Sequence, residues 1–162
     1  MKSNNSKGTK IRNFLFFIFT FSFLIISTSL WGAFSRDSSG VVADSKSGLA
    51  WQDNYVNNGG DIKSATWQDA LVYCHEITLG GQSDWRLPNI RELKSIVDDS
   101  KFNPAINSIF QNFPFNNYVY VSSTTDASDS SNVWDVNFYN GGSTSSGSKT
   151  DERLVRCVRG GQ

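Results

Sequence analysis

Cys74 and His75 are the residues that could most readily form a nucleophile and its base. The chain has two cysteines and a single histidine, so any Cys-His pair must use His75, which directly follows Cys74. They fall in a segment with helical apolar spacing, where successive side chains point about 100° apart. A nucleophile needs its base within hydrogen-bonding distance. We therefore predict a partly exposed histidine and no catalytic residues.

The carboxylates offer little support for acid/base catalysis or a metal centre. Asp98-Asp99 and Asp151-Glu152 are adjacent acids in predicted loops and are interpreted as solvated charge. One histidine excludes two-His metal sites. The loop acids fit no EF-hand spacing, although a calcium site built from separated loops stays an alternative. These are Asp53, Asp61, Asp126 and Asp129. We predict no metal and no cofactor.

Aromatic and basic side chains could also bind a ligand. Trp67 and Trp134 lie on apolar stripes and are predicted to be core residues, whereas Trp51 could fill a core or stack on a sugar. Trp85, beside Arg86 and Pro88 at a helix entrance, is typical of a packing contact. The arginines of the last strand alternate between its faces, so no single basic stripe is predicted.

The periodicity predicts an α+β domain that positions these residues. Two short strands, 40–44 and 49–52, precede a helix capped by Thr66 and ended by Gly80-Gly81. A second helix begins after Asn89, with Glu92 completing a capping box. Strands are then predicted at 118–123, 133–139 and 154–159.

Polar loops join the predicted strands and form the candidate binding surface. They span 98–118, 124–132 and 140–150, and the first contains phenylalanines as aromatic anchors. Binding residues are disproportionately found on such loops. The candidate ligand-binding residues are Asp126, Asp129, Asn132, Asn140 and Lys149.

The charge distribution divides the 162-residue chain into a leader, 1–33, and one domain, 34–162. Four basic residues and no acid give the leader a charge of +4, while 11 basic and 15 acidic residues give the domain −4. An acidic domain lacks the basic field that nucleic acids require. Nucleic acid is therefore excluded as a partner, and a broad polyanion groove is disfavoured.

The leader predicts export. Its run from Phe14 to Leu30 has no charged residue, which fits either a cleaved signal peptide or a retained membrane anchor. Both place the domain outside the cytoplasm, in the periplasm, at the cell surface or secreted. In an oxidising compartment, a Cys74–Cys157 disulfide is favoured over two free thiols.

Several sequence blocks together resemble the Lcl C-terminal domain family, named for bacterial collagen-like adhesins. They run in order over about residues 40–160: Gly48-Leu49-Ala50-Trp51-Gln52, Thr66-Trp67-Gln68-Asp69-Ala70-Leu71 with Tyr73-Cys74, Asp84-Trp85-Arg86-Leu87-Pro88-Asn89-Ile90-Arg91-Glu92-Leu93, Ser122-Ser123-Thr124 and Val155-Arg156-Cys157-Val158-Arg159. The resemblance implies a C-type-lectin-like fold, with two helices packed on small antiparallel sheets and the terminal strands close together. A first-helix to last-strand disulfide is the long bridge of that fold.

The resemblance also defines the functional hypotheses. Family adhesins bind host glycosaminoglycans, but the Glu-Pro-Asn and Trp-Asn-Asp calcium–sugar motifs of classical C-type lectins are absent. We expect a non-enzymatic recognition module for a glycan or another extracellular ligand. A structural or assembly domain that binds an envelope protein is the alternative. The block Trp85-Arg86-Leu87-Pro88 with Glu92 is also similar to formylglycine-generating enzymes, whose reactive cysteines this chain lacks if both are bridged.

Overall fold

A computed structural model describes residues 34–114 and 118–161, which form two α-helices, one short 3-10 helix (Val56–Asn58) and nine strands. The predicted leader lies outside these residues. The helices are α1 (Trp67–Glu76) and α2 (Ile90–Ser95). The strands are β1 (Phe34–Arg36), β2 (Val41–Asp44), β3 (Leu49–Gln52), β4 (Ser64–Ala65), β5 (Val119–Thr125), β6 (Asn132–Asn137), β7 (Gly142–Ser148), β8 (Arg153–Leu154) and β9 (Val158–Gly160).

The first sheet joins the two ends of the described chain. Its order is β1-β2-β3-β9, and all its pairs are antiparallel. The predicted hairpin of β2 and β3 is confirmed, with Gly48 in the left-handed region at φ 70°. Trp51 pairs with Val158 across β3 and β9, so the expected proximity of the terminal strands is present.

The second sheet has the order β4-β8-β5-β6-β7. Its β5, β6 and β7 form an antiparallel meander, but β5 and β8 are parallel through the single pair Tyr120 and Leu154. The α+β class with two helices and small sheets is therefore confirmed. The sheets are not purely antiparallel, because β8 enters between β4 and β5 after the meander has finished.

Side-chain caps start both helices at the predicted residues. The Thr66 hydroxyl accepts a hydrogen bond from the Asp69 backbone N–H, and Asn89 and Glu92 form the complete capping box. The predicted end of α1 at Gly80-Gly81 is wrong. The helix stops at Glu76 because Ile77 turns extended and is buried, 4% exposed.

The segment 140–150 is mostly a strand, which corrects its prediction as a loop. Glycine and serine have low strand propensity, but β7 is held by pairing with β6 along most of its length. Strand formation depends strongly on such context. The loop residues of this region are confined to the two ends of β7.

The predicted strand 154–159 is interrupted, because this part of the chain crosses between the sheets. Its first residues belong to β8 in the second sheet and its last to β9 in the first. Val155, Arg156 and Cys157 lie between them and are completely buried. Cys157 forms the predicted disulfide with Cys74 of α1, which ties the crossover to the helix.

Two apolar clusters fill the interior and contain two of the tryptophans. Trp51 and Trp85 are buried, at 0% and 2% exposure. Trp67 and Trp134, which the sequence predicts to be core residues, are only partly buried. Trp67 is the first residue of α1, and Trp134 lies where the pairing of β6 with β7 shifts register. Within the described ranges, no helix combines the length and hydrophobicity needed to cross a membrane.

Candidate ligand-binding surfaces

Four of the five predicted ligand residues meet at one end of the second sheet. Asp126 and Asp129 lie in the β5–β6 loop, and Asn132 begins β6. Lys149 follows β7, and its backbone N–H donates to the Ser131 carbonyl. We call Asp126, Asp129, Asn132 and Lys149 the acidic loop end.

The two aspartates of this surface are engaged in tight local turns. Asp126 accepts hydrogen bonds from the backbone and hydroxyl of Ser128, and Asp129 accepts the same pair from Ser131. These bonds lower the pKa of both carboxyls below the ordinary value. Both therefore remain ionised at neutral pH, and the surface is unsuited to anionic ligands.

Lys149 is held above an aromatic ring. Its Nζ lies 4.1 Å from the centroid of Trp67, within the range of a cation–π contact. The indole Nε1 of Trp67 donates to the Ser122 carbonyl. Trp67 therefore has a packing role, and Lys149 covers one face of its ring.

Asn140 lies at the opposite end of β6 and does not join the acidic loop end. Its Oδ1 accepts a hydrogen bond from the Gly142 backbone, which shapes the turn into β7. Its neighbour Tyr139 is 41% exposed, and Phe102 from the long loop is 64% exposed. The two rings contact edge to face with centroids 4.5 Å apart.

We call Phe102, Tyr139 and the adjacent Tyr118 the aromatic surface. Tyr118 lies 6.0 Å from Tyr139 between centroids. A groove of about 450 Å³ continues from Phe102 between Pro104, Ile106 and Phe113. Sequence reasoning treated Phe102 as an anchor and did not identify Tyr139. The alternation of the predicted strand 133–139 could have supplied the missing signal, because it places Tyr139 on the face opposite Phe138. The two residues follow β6, where Phe138 is buried and Tyr139 is exposed.

Arg86 and Glu92, which belong to the conspicuous block 84–93, connect α2 to the last strand, β9. Arg86 donates two hydrogen bonds to Glu92, at 2.8 and 2.6 Å, and a third to the Gly160 carbonyl. The Pro88 carbonyl accepts from Ser123 of β5. Burial opposes ionisation of Glu92, but bonds from Arg86 and the Asn89 backbone outweigh it and lower its pKa. This motif connects both sheets through α2.

A second network, which the sequence did not predict, is centred on Arg156 and Asp53, whose side chains are completely buried. Arg156 donates to the Asp53 carboxylate at 2.8 Å and to the carbonyls of Gln52 and Asn112. Arg36 also donates to Asp53, at 2.9 Å. Asp53 is therefore neutralised by two guanidinium groups, which makes it unsuited to calcium.

The residues considered for nucleophilic chemistry and for a metal site do not come together in the described part of the chain. Cys74 is bonded to Cys157, and His75 is exposed. Between residues 34 and 114 and from 118 to 161, no three His, Cys, Asp or Glu side chains converge as metal ligands.

Comparison of the sequence with known families identifies a match over most of the described chain. The Lcl C-terminal domain family matches residues 40–159, which include both sheets from β2 onward, both helices and the disulfide. Comparison with curated proteins gave no match.

Proposed function

The chain belongs to the Lcl C-terminal domain family, and from this premise we propose that it is a non-enzymatic recognition module of the bacterial envelope or surface. Its ligand is a glycan or another extracellular molecule. Export by the N-terminal leader is part of the proposal. The disulfide supports it, because such bonds persist in oxidising compartments.

The proposal includes a C-type-lectin-like fold for the domain. Two features support this assignment. The first sheet contains both β1 and β9, the first and last strands of the described chain, and a disulfide links α1 to the crossover before β9. Folds of this kind leave long loops free to carry binding residues on a rigid base.

The aromatic surface is the observation that carries the recognition function. Large exposed apolar side chains that lie together mark binding surfaces more often than isolated ones do. Phe102 and Tyr139 expose 64% and 41% of their surface and contact each other. Aromatic rings supply a large contact area, and the tyrosine hydroxyl adds a polar group. Asn140 adds an amide beside them.

Arrays of glycans and extracellular-matrix proteins, probed with and without EDTA, test the proposal. We expect binding by the purified chain, and its loss in the Phe102→Ala/Tyr139→Ala variant. Val72→Ala is the matched control, because Val72 is 45% exposed on α1. Absence of binding by the wild-type chain on every array overturns the proposed function.

An envelope assembly domain that binds a protein is the second candidate. It is favoured by β7, which is the last strand in the order of the second sheet and could accept a strand from a partner. A stoichiometric protein partner in envelope pull-downs, without any glycan signal, would support this candidate over the first.

A further inference from the structure

Asp135 is an acid buried in the middle of β6. It pairs with Val121 of β5 on one side and with Thr144 of β7 on the other, and it is only 3% exposed. Its position in a strand otherwise rich in valine distinguishes it from the surface carboxylates. A buried carboxylate normally has its hydrogen-bonding capacity satisfied.

The partners of Asp135 leave that capacity incomplete. Its Oδ2 lies 3.6 Å from Arg153 Nε, which is close enough for an ion pair but too long for a hydrogen bond. Within the described residues, Oδ1 and Arg153 Nε have no hydrogen-bond partner. Burial raises the pKa of Asp135, and Arg153 opposes this only in part. A buried acceptor without a hydrogen bond, Asp135 Oδ1, therefore lies near a donor without a hydrogen bond, Arg153 Nε.

A cavity of about 270 Å³ opens over these two groups. Polar side chains from β6 and β7 line it, namely Asn137, Thr144 and Ser146. Gly147 leaves room for the carboxylate, because a Cβ at that position would lie 2.7 Å from Asp135 Oδ2. Rotation about χ2 of an aspartate is soft, so Oδ1 can turn toward a ligand in the cavity.

The charges of the cavity favour a neutral ligand. Arg153 lies between two carboxylates, with Asp135 at 3.6 Å and Asp151 at 3.1 Å. An anion that approached the guanidinium would face both acids, and an ammonium group at Asp135 would face the guanidinium. A neutral hydroxyl can donate to the carboxylate and accept from Arg153.

We propose that this cavity binds one neutral sugar ring, with neighbouring hydroxyl groups held by Asp135, Arg153 and Thr144. The volume lies just below the roughly 300–1,000 Å³ of cavities that hold drug-sized ligands, which suits a single ring. The choice of a sugar rests on the proposed recognition function. The lining residues of the cavity are not those of the aromatic surface, although Asn137 accepts a hydrogen bond from the Tyr139 backbone N–H.

Titration of the isotope-labelled full chain with neutral methyl hexopyranosides, followed by NMR, tests the proposal. We expect saturable shifts at the amides of Asn137, Thr144 and Gly147 with at least one sugar. Asp135→Asn should weaken binding about tenfold or more, the usual effect of losing a hydrogen bond to a charged group. Thr144→Val should weaken binding by roughly 2- to 10-fold, because a hydrogen bond between neutral hydroxyl groups contributes less. Thr150→Val, outside the cavity, is the matched control and should bind like the wild type.

The outcomes distinguish this site from the proposed function. If arrays detect a glycan but no sugar shifts the cavity amides, the cavity proposal fails and the recognition function stands. Unchanged affinity in both cavity variants also overturns it, as would saturable shifts with methylammonium or inorganic phosphate alone. If the arrays detect no ligand of any kind and the titrations detect no sugar, both proposals fail.

Discussion

Arg156 donates a 2.8 Å hydrogen bond to Asp53, and both side chains are completely buried. Asp53 directly follows β3 of the first sheet, and Arg156 lies in the crossover between the sheets. The pair therefore joins this sheet to the crossover. Three aromatic rings surround the guanidinium, those of Phe110, Phe113 and Tyr120. Burial opposes the charge of Arg156, yet its neighbours Tyr55, Tyr120 and Asp53 raise its pKa. The guanidinium therefore stays charged inside the protein.

Arg156→Met should destabilise the domain strongly. The substitution leaves Asp53 buried with only Arg36 as a charged partner, and breaking a buried pair costs about 3–5 kcal/mol. The free energy of unfolding from urea titration measures this. Arg159→Met is the control, because its pair with Asp84 is exposed and such pairs contribute little. Equal losses in both variants would contradict the central role of Arg156.

Removal of the disulfide should also destabilise the domain. The bond joins residues separated by 83 positions, and the loss of a native disulfide from a small exported domain typically costs about 2–5 kcal/mol. Urea unfolding of the Cys74→Ala/Cys157→Ala variant, compared with the wild type, measures the effect. Thiol labelling of the native, non-reduced chain should detect no free cysteine, and two labelled cysteines would instead revive redox or nucleophilic chemistry.

Glu92 should stabilise the fold most above its ordinary pKa of 4.5. Its pKa is lower in the folded state, so its contribution is present at higher pH and is lost as the pH falls through the folded value. We expect the stability difference between wild type and Glu92→Gln to shrink below pH 4.5. Urea unfolding from pH 7 down to acidic pH measures this, and a constant difference would count against the Arg86–Glu92 lock.

Asp135 should show the opposite pH dependence. Its pKa is raised by burial above 3.8, so its contribution is present below that value and is lost as the pH rises through the folded pKa. Asp135→Asn should therefore gain stability relative to the wild type between acidic and neutral pH. Unfolding curves of both proteins over this pH range test the sign. A relative loss of stability in Asp135→Asn on raising the pH would show that Arg153 lowers the folded-state pKa and would contradict the prediction.

Local chemistry made the helices predictable. Thr66 and Asn89 cap the helix starts because their side chains accept backbone N–H bonds a few residues away, and this requires no distant partner. The hairpin before them follows from the same kind of information. The candidate site was harder to predict from the sequence. Asp126 and Asn140 both look like polar loop residues, but they lie at opposite ends of β6.

The sequence by itself determined the caps, the first hairpin, the cysteine pair and the family of this protein, since each depends on near neighbours or on residue type. Only the tertiary structure decided that the serine- and glycine-rich segment is a strand, that Trp51 is buried more deeply than Trp67, and that Asp53 meets Arg156. Those outcomes depend on contacts between residues far apart in the chain. Asp135 and Arg153 come together for the same reason, when β6 and β8 enter one sheet.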